Sequence, residues 1–298
     1  MSRRVIAFFI ILTSACSRGA APRFDGARAF QLLEAQCQFG PRAPGSEGHR
    51  KCREFLTAHL QKTTQHVSVQ TFSYLQPRSG QRMSGYNVIA RFAPHQKSRV
   101  LVCAHWDTRP WADEDPVAKN RTFPVPGAND GASGTAVLLH LAELLAKQPP
   151  TVGVDIVLFD AEDSGVHNDN STWALGSAAF AREFGRAFAP RFGILLDMIG
   201  DADLAIYQEA YSLYYAPAVV RKVWDKAAEL GIVEFLPQQG SAVYDDHIPL
   251  LRVGIPCIDI IDFDYPYWHT LQDTPDKCSP ASLEKVGRVV TAVIYEEK

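Results

Sequence analysis

The feature that most constrains this chain is a series of short, almost unbroken apolar runs, several stopped by acidic or imidazole side chains. RVLVCA at 99–104 meets His105 and Asp107, VDIVLF at 154–159 precedes Glu162 and Asp163, and FGILL at 192–196 meets Asp197. IPCIDII at 255–261 is another such run. Runs this short and this apolar read as strands buried on both faces, which requires a sheet covered by helices on each side. Helical spacing falls between them, over 27–38, 47–62, about 132–146, 173–185, 217–230 and 280–295. Segments 66–74 and 86–92 read as further strands, and LAIY at 204–207 as another. The alternation predicts a single α/β domain, with function carried by loops at the carboxyl ends of the strands.

Composition agrees with a buried core: 46% of residues are hydrophobic and 21% charged. A net charge of −3 gives no polyanion-binding signature, so nucleic acid is not an expected partner. No repeat, low-complexity tract or linker divides the chain, so one catalytic domain is expected over residues 23–298, with a monomer as the default. Residues 1–22 stand apart. Arg3 and Arg4 precede a short apolar stretch from Val5 to Leu12, and Thr13, Ser14 and Ala15 lead to Cys16. That stretch is too short to span a bilayer and reads as a secretory signal. The small residues before Cys16 resemble a bacterial lipobox, with Thr13 where Leu is usual. Lipoprotein processing at Cys16, plain secretion and a retained anchor are the readings, in that order. Each places the domain outside the cytoplasm, in the periplasm or cell envelope or secreted. Export permits disulfides. Cys37, Cys52, Cys103, Cys257 and Cys278 are odd in number, so at least one is free. Cys103 reads as a buried strand thiol; Cys37 with Cys52, or Cys257 with Cys278, are candidate pairs that spacing does not decide.

His105, Asp107, Asp130, Glu162, Asp163 and Asp197 follow apolar runs or sit in Gly-rich turns. Asp245-Asp246-His247 and Trp268-His269 add two more clusters. Carboxylates converging in one cleft repel and raise each other's pKa, a cost that a divalent cation removes. A mixed carboxylate and imidazole set suits zinc, held tetrahedrally with one position open. Some of these groups have plainer readings. Asp107, Asp160 and Asp246 are expected to orient neighbours or form turns, and His247 to hydrogen-bond within the core. Gly127, Gly131 and Gly134 fit a tight turn and close helix packing, because PGANDGASG lacks both phosphate-loop spacings. No GxSxG elbow occurs, which disfavours serine hydrolysis.

HWDTRP at 105–110, PGANDGASG at 126–134, FDAED at 159–163, LLDMIG at 195–200, DDHIP at 245–249 and WHTLQDT at 268–274 occur in an ordered series. In this the chain resembles glutaminyl-peptide cyclotransferases and, less closely, the related di-zinc aminopeptidases of metallopeptidase family 28. The resemblance spans roughly residues 27–298. It implies a three-layer α/β/α sandwich with a central mixed, mostly parallel sheet. It further implies one Zn2+ on Asp130, Asp163 and His269, with Glu162 as the proton-transfer group. Asp197 and Asp245 would form a short acid network near the leaving group, and Trp268 would wall the glutamine pocket. The implied reaction converts the N-terminal Gln of a peptide or protein to pyroglutamate and releases ammonia. Animal cyclotransferases carry a pocket Trp shortly after the acidic pair, where this chain reads SGVHND; Trp173 or Tyr267 would take its place.

The rival reading is a di-zinc aminopeptidase, in which His105 and Asp197 hold a second metal, Asp130 bridges both and Glu162 activates water. The Glu162-Asp163 pair, where aminopeptidases more often carry Glu-Glu, favours cyclisation. Trp268 directly before His269 and the WADEDP insert favour it too. A metal-free binding protein on the same fold would show substituted ligands, and Asp130, Glu162, Asp163 and His269 are all present.

Overall fold

Residue parity along the buried strands decides how the molecule is layered. The computed structural model describes residues 21–185 and 188–298. The leader expected over 1–22, with Cys16, lies outside the described residues apart from its last two positions. A six-stranded sheet is built from β1 (Val67–Leu75), β2 (Arg82–Phe92), β3 (Arg99–His105), β4 (Gly153–Phe159), β5 (Gly193–Asp197) and β8 (Cys257–Ile261). Its order is β1-β2-β4-β3-β5-β8. β1, β2 and β4 pair antiparallel, while β4, β3, β5 and β8 run parallel. Side chains alternate between faces. Val100, Val102, Ile156 and Ile194 therefore join one core cluster, and Leu101, Cys103, Val157 and Leu195 join another.

Helices α1 (Gly26–Cys37), α2 (Glu47–Gln61), α3 (Ala132–Lys147) and α8 (Pro280–Glu296) cover the first face. α4 (Leu175–Phe184) and α7 (His247–Arg252) cover the second, through Phe180 and Leu250. This is the mixed, mostly parallel α/β/α sandwich expected. Each large apolar side chain so enclosed contributes roughly 1.5–3 kcal/mol by leaving water. α3 is buried on nearly every side, which its apolar sequence permits. It begins at Gly131, whose φ of 96° no side chain tolerates well; a Cβ there would sit 2.4 Å from the Asp107 carbonyl oxygen.

Several short elements go beyond the sequence pattern. LAIY forms only β6 (Ile206–Gln208), which leaves the main sheet and pairs with β7 (Phe235–Gln239). α5 (Ala210–Tyr215) precedes α6 (Pro217–Glu229). The helix expected over 173–185 starts at Leu175, because Ala174 is left-handed at φ 53°. That break turns Trp173 out of the helix. Cys37, Cys52, Cys103, Cys257 and Cys278 are all free thiols, so neither candidate pair forms. Among the described residues, no helix is long and apolar enough to cross a membrane.

Candidate metal centre and active-site cleft

The parallel strands deliver their polar termini to one edge. β3 ends on His105, β5 on Asp197, and the turn after β4 carries Glu162 and Asp163. Asp130 stands at the turn into α3, and His269 follows β8 on the long loop before α8. Asp273 locks these last two together: its carboxylate accepts from the Asn129 amide at 2.8 Å, the Asp130 amide at 3.1 Å and the Tyr265 hydroxyl at 2.8 Å. The backbone bends hard here. Ala161, Met198 and His269 have φ of 58°, 46° and 54°, beside or at the functional positions. Left-handed non-glycine residues cost about 1–3 kcal/mol each and persist where surrounding contacts over-determine them.

Asp130, Asp163 and His269 form a compact set of possible ligands, with one donor atom from each lying within 4.8 Å of the others. His269 Nε2 is 3.1 Å from Asp163 Oδ1 and 3.7 Å from Asp130 Oδ2. Asp130 Oδ2 and Asp163 Oδ2 are buried without a hydrogen-bond partner. Two orphaned carboxylate oxygens beside an imidazole nitrogen are a donor set that a zinc ion would satisfy. An overlapping set joins His105 to Asp130 and Asp197, at 3.1 and 3.0 Å from His105 Nε2. Asp130 thus belongs to both. A third set joins His105, Glu162 and Asp163.

Electrostatics separates these groups. Burial opposes the charge on Asp163, but His269 and Arg109 outweigh it and hold its pKa below the ordinary carboxylate range. Burial also opposes the charge on His269, yet Asp163 and Asp113 raise its pKa. Burial, then Asp245 and Asp163, push Glu162 well above the usual value. Asp245 is pushed up likewise by burial, Asp197 and Asp246. Burial and the nearby Asp163 carry Asp130 up to about 7. His105 loses from burial but gains more from Asp197, Asp107 and Asp130, and ends well above the usual range.

Other predicted positions find specific places. Asp107 accepts from the amides of Glu162 at 3.2 Å and Asp163 at 3.3 Å, which aims both side chains into the cleft. Asp160 accepts from His49 and the Tyr86 amide. His247 is enclosed between Glu209 at 3.3 Å and Asp259 at 3.9 Å. Trp268 stacks on His269 with ring centres 3.7 Å apart, and Trp173 lies parallel to the same imidazole at 6.0 Å. Both line the pocket with Glu162, Asp197 and Asp245. Tyr267 does not; it lines a separate cleft with Asp201 and Lys277. Gly165 makes the Trp173 position available, since a Cβ there would lie 2.1 Å from the indole.

Sequence reasoning missed Asp113, Asp259 and Phe263. Asp113 sits 3.5 Å from His269 Nδ1, receives Arg109 at 2.6 Å and accepts from Trp111 Nε1 at 3.0 Å. Its signal was available: WADEDP places an acid four residues after a buried Arg109, but its target is distant in sequence. Asp259 interrupts an apolar strand, and Phe263 lines the pocket beside Trp268.

The profile of Peptidase family M28 matches residues 87–294, which hold every one of these site residues. The chain belongs to peptidase family M28. Among solved structures it is similar to a glutaminyl cyclase from Tannerella forsythia, at 39% identity and TM-score 0.89, covering 93% of this chain and 100% of that one. It is also similar to a protein described as a leucine aminopeptidase precursor from Bacteroides thetaiotaomicron, at 37% identity and TM-score 0.89, covering 93% and 99%. A curated relative, aminopeptidase YwaD of Bacillus subtilis, is 28% identical over 211 residues; the match covers 66% of this chain but only 40% of that protein. This M28 chain is thus an enzyme-family member with neighbours described under both chemistries.

Proposed function

We propose that this M28 protein is a zinc-dependent glutaminyl-peptide cyclotransferase acting on peptides and proteins with N-terminal Gln. The observation that carries the reading is the small aromatic pocket, a cavity of about 50 Å³ walled by Trp268 and Trp173 beside Glu162 and the Asp130–Asp163–His269 set. Two flat indole walls beside the candidate ligands suit a single planar amide side chain. The likeness to bacterial glutaminyl cyclases over nearly the whole chain supports the same reading.

Asp130, Asp163 and His269 would hold the ion, which would supply Lewis-acid polarisation at the γ-carbonyl. The indoles of Trp268 and Trp173 press the glutamine side chain into the folded conformer, so that amine and carbonyl meet as an intramolecular pair. Glu162 takes a proton from the attacking α-amine and returns it to the departing γ-nitrogen, which leaves as ammonia while the new amide bond closes the ring. A raised carboxyl pKa fits a group that must both hold and return a proton near neutrality. Asp245 and Asp197 flank Glu162 and keep its proton within the buried acid network. A single catalytic domain over 23–298, exported and acting as a monomer, completes the reading.

The overlapping His105–Asp130–Asp197 set favours a second reading, a di-zinc aminopeptidase using Glu162 to activate water. Zinc-loaded protein incubated with Gln-peptides and with Leu-amide separates the two. Ammonia release from Gln-peptides with one zinc per chain is expected. Free amino acid without ammonia, with two zincs, would overturn cyclisation.

A further inference from the structure

A second cleft, of about 240 Å³, adjoins the glutamine pocket. Val243, Ile261 and Phe263 line both, so the two spaces share one wall. Phe263 is 42% exposed and tilts against Trp268 at 5.6 Å, standing at the boundary. The far side of the cleft is formed by Tyr207, Gln239, Gly240 and Ser241, with Glu209 and Asp264 supplying its acids.

Those acids differ. Glu209 is 2% exposed, and its carboxylate is already committed to the amides of Tyr211 at 2.9 Å, Ser212 at 2.6 Å and Val243 at 3.0 Å. Asp264 is exposed, and among the described residues its carboxylate has no ion-pair or hydrogen-bond partner. Among the described residues, no Lys or Arg lines this cleft. An unpaired carboxylate beside the aromatic walls of Tyr207 and Phe263 complements a cation on an apolar stem, which the rings cover while the charge meets the acid.

We infer that this cleft receives the side chain of the residue following the N-terminal one, and that Asp264 makes it select Lys or Arg there. The assignment rests on the cyclisation reading only for the identity of the first residue. A peptide whose N-terminal side chain fills the tryptophan-walled pocket must leave over its rim, and the shared wall puts this cleft at the exit. Asp264 touches none of the candidate ligands and is a specificity residue, not part of the proton-transfer machinery.

The test uses the full zinc-loaded protein with Gln-Lys-Ala-amide, Gln-Ala-Ala-amide and Gln-Glu-Ala-amide, following ammonia. At low salt kcat/KM should fall in that order, with Lys over Glu by about fivefold, the scale of exposed charge pairs. Asp264→Asn should shrink that ratio to about twofold or less and leave Gln-Ala-Ala-amide unchanged, and Asp264→Lys should reverse the order. Equal ratios in the wild type and Asp264→Asn would overturn the assignment. If no Gln-peptide releases ammonia, the cyclisation reading fails, and the matching Leu-Lys, Leu-Ala and Leu-Glu series is read by free leucine. An Asp264-dependent preference there upholds the cleft, and its absence overturns it.

Discussion

The two walls of the cleft are both acidic, yet they are held in opposite ways. On one wall the groups are braced from behind. Asp273 grips the Asn129 and Asp130 amides, Arg109 donates to the Asp163 carbonyl oxygen at 2.9 Å, and Asp113 faces His269 Nδ1. The other wall carries Asp245, with Asp246 and Asp259 buried behind it; Asp245 Oδ2 and both oxygens of Asp246 and Asp259 are without a hydrogen bond in place. Burial first, and then repulsion from nearby carboxylates that include Asp197, keep these acids above their usual pKa. Bracing keeps Asp130 and Asp163 aimed, and His269 and Arg109 outweigh burial to keep Asp163 ionised, which serves a cation. Leaving them unbraced keeps them protonated, which serves a group that must lend and recover protons. Glu162 takes its elevated pKa from burial first, and then from Asp245 on one wall and Asp163 on the other.

The contrast is broken most forcefully at that residue. Glu162→Gln should lower kcat by about a thousandfold while zinc content by metal analysis stays near wild type. Loss of zinc in this variant would move Glu162 to the braced wall as a ligand. A smaller effect is expected behind His269. Asp113→Asn should weaken zinc binding by about 10–100-fold in chelator competition, because the imidazole loses its carboxylate orienter. Unchanged affinity would mean that Arg109 and Trp111 alone fix that loop. The smallest effect belongs to the unbraced wall and is read in stability.

Burial, followed by the neighbouring acids, raises Asp246 in the folded protein from 3.8 to about 7. The folded state therefore keeps a proton that the unfolded state releases, and stability is lost as pH rises through 7. Asp246→Asn cannot lose it. Its stability in urea should gain on the wild type between pH 5 and 7 by up to about 1 kcal/mol per pH unit. A pH-independent difference would show that Asp246 is ionised throughout.

The braced and unbraced walls were unequally legible in the sequence. Asp130, Glu162 and Asp163 stand just after strongly apolar runs or in a Gly-rich turn, where near-continuous apolar strands present them, whereas His269 lies on a loop and was legible through its WHT motif. The braces are not periodic. Asp113 and Asp273 lie in loops, and their partners are fixed only by how strands from distant parts of the chain line up. Trp173 shows the same limit: the apolar spacing after it continues a helix, but the left-handed Ala174 turns the indole into the pocket. β6, β7, α5 and α7 are too short for a pattern to distinguish and owe their form to tertiary contacts. Asp259 was hidden differently, because one acid inside CIDII reads as an interruption until β8 is placed against the acid network.

The Asp273 clamp also has a temporal meaning. The turn that carries Asp130 is completed by a residue far along the chain, on the same loop as His269. A chain folded only through α7 would have most of its sheet and both helix layers begun, but neither His269 of the candidate ligand set nor the support for Asp130. Metal uptake would then mark the end of folding instead of nucleating it, and the site would stay incomplete until its last loop had closed.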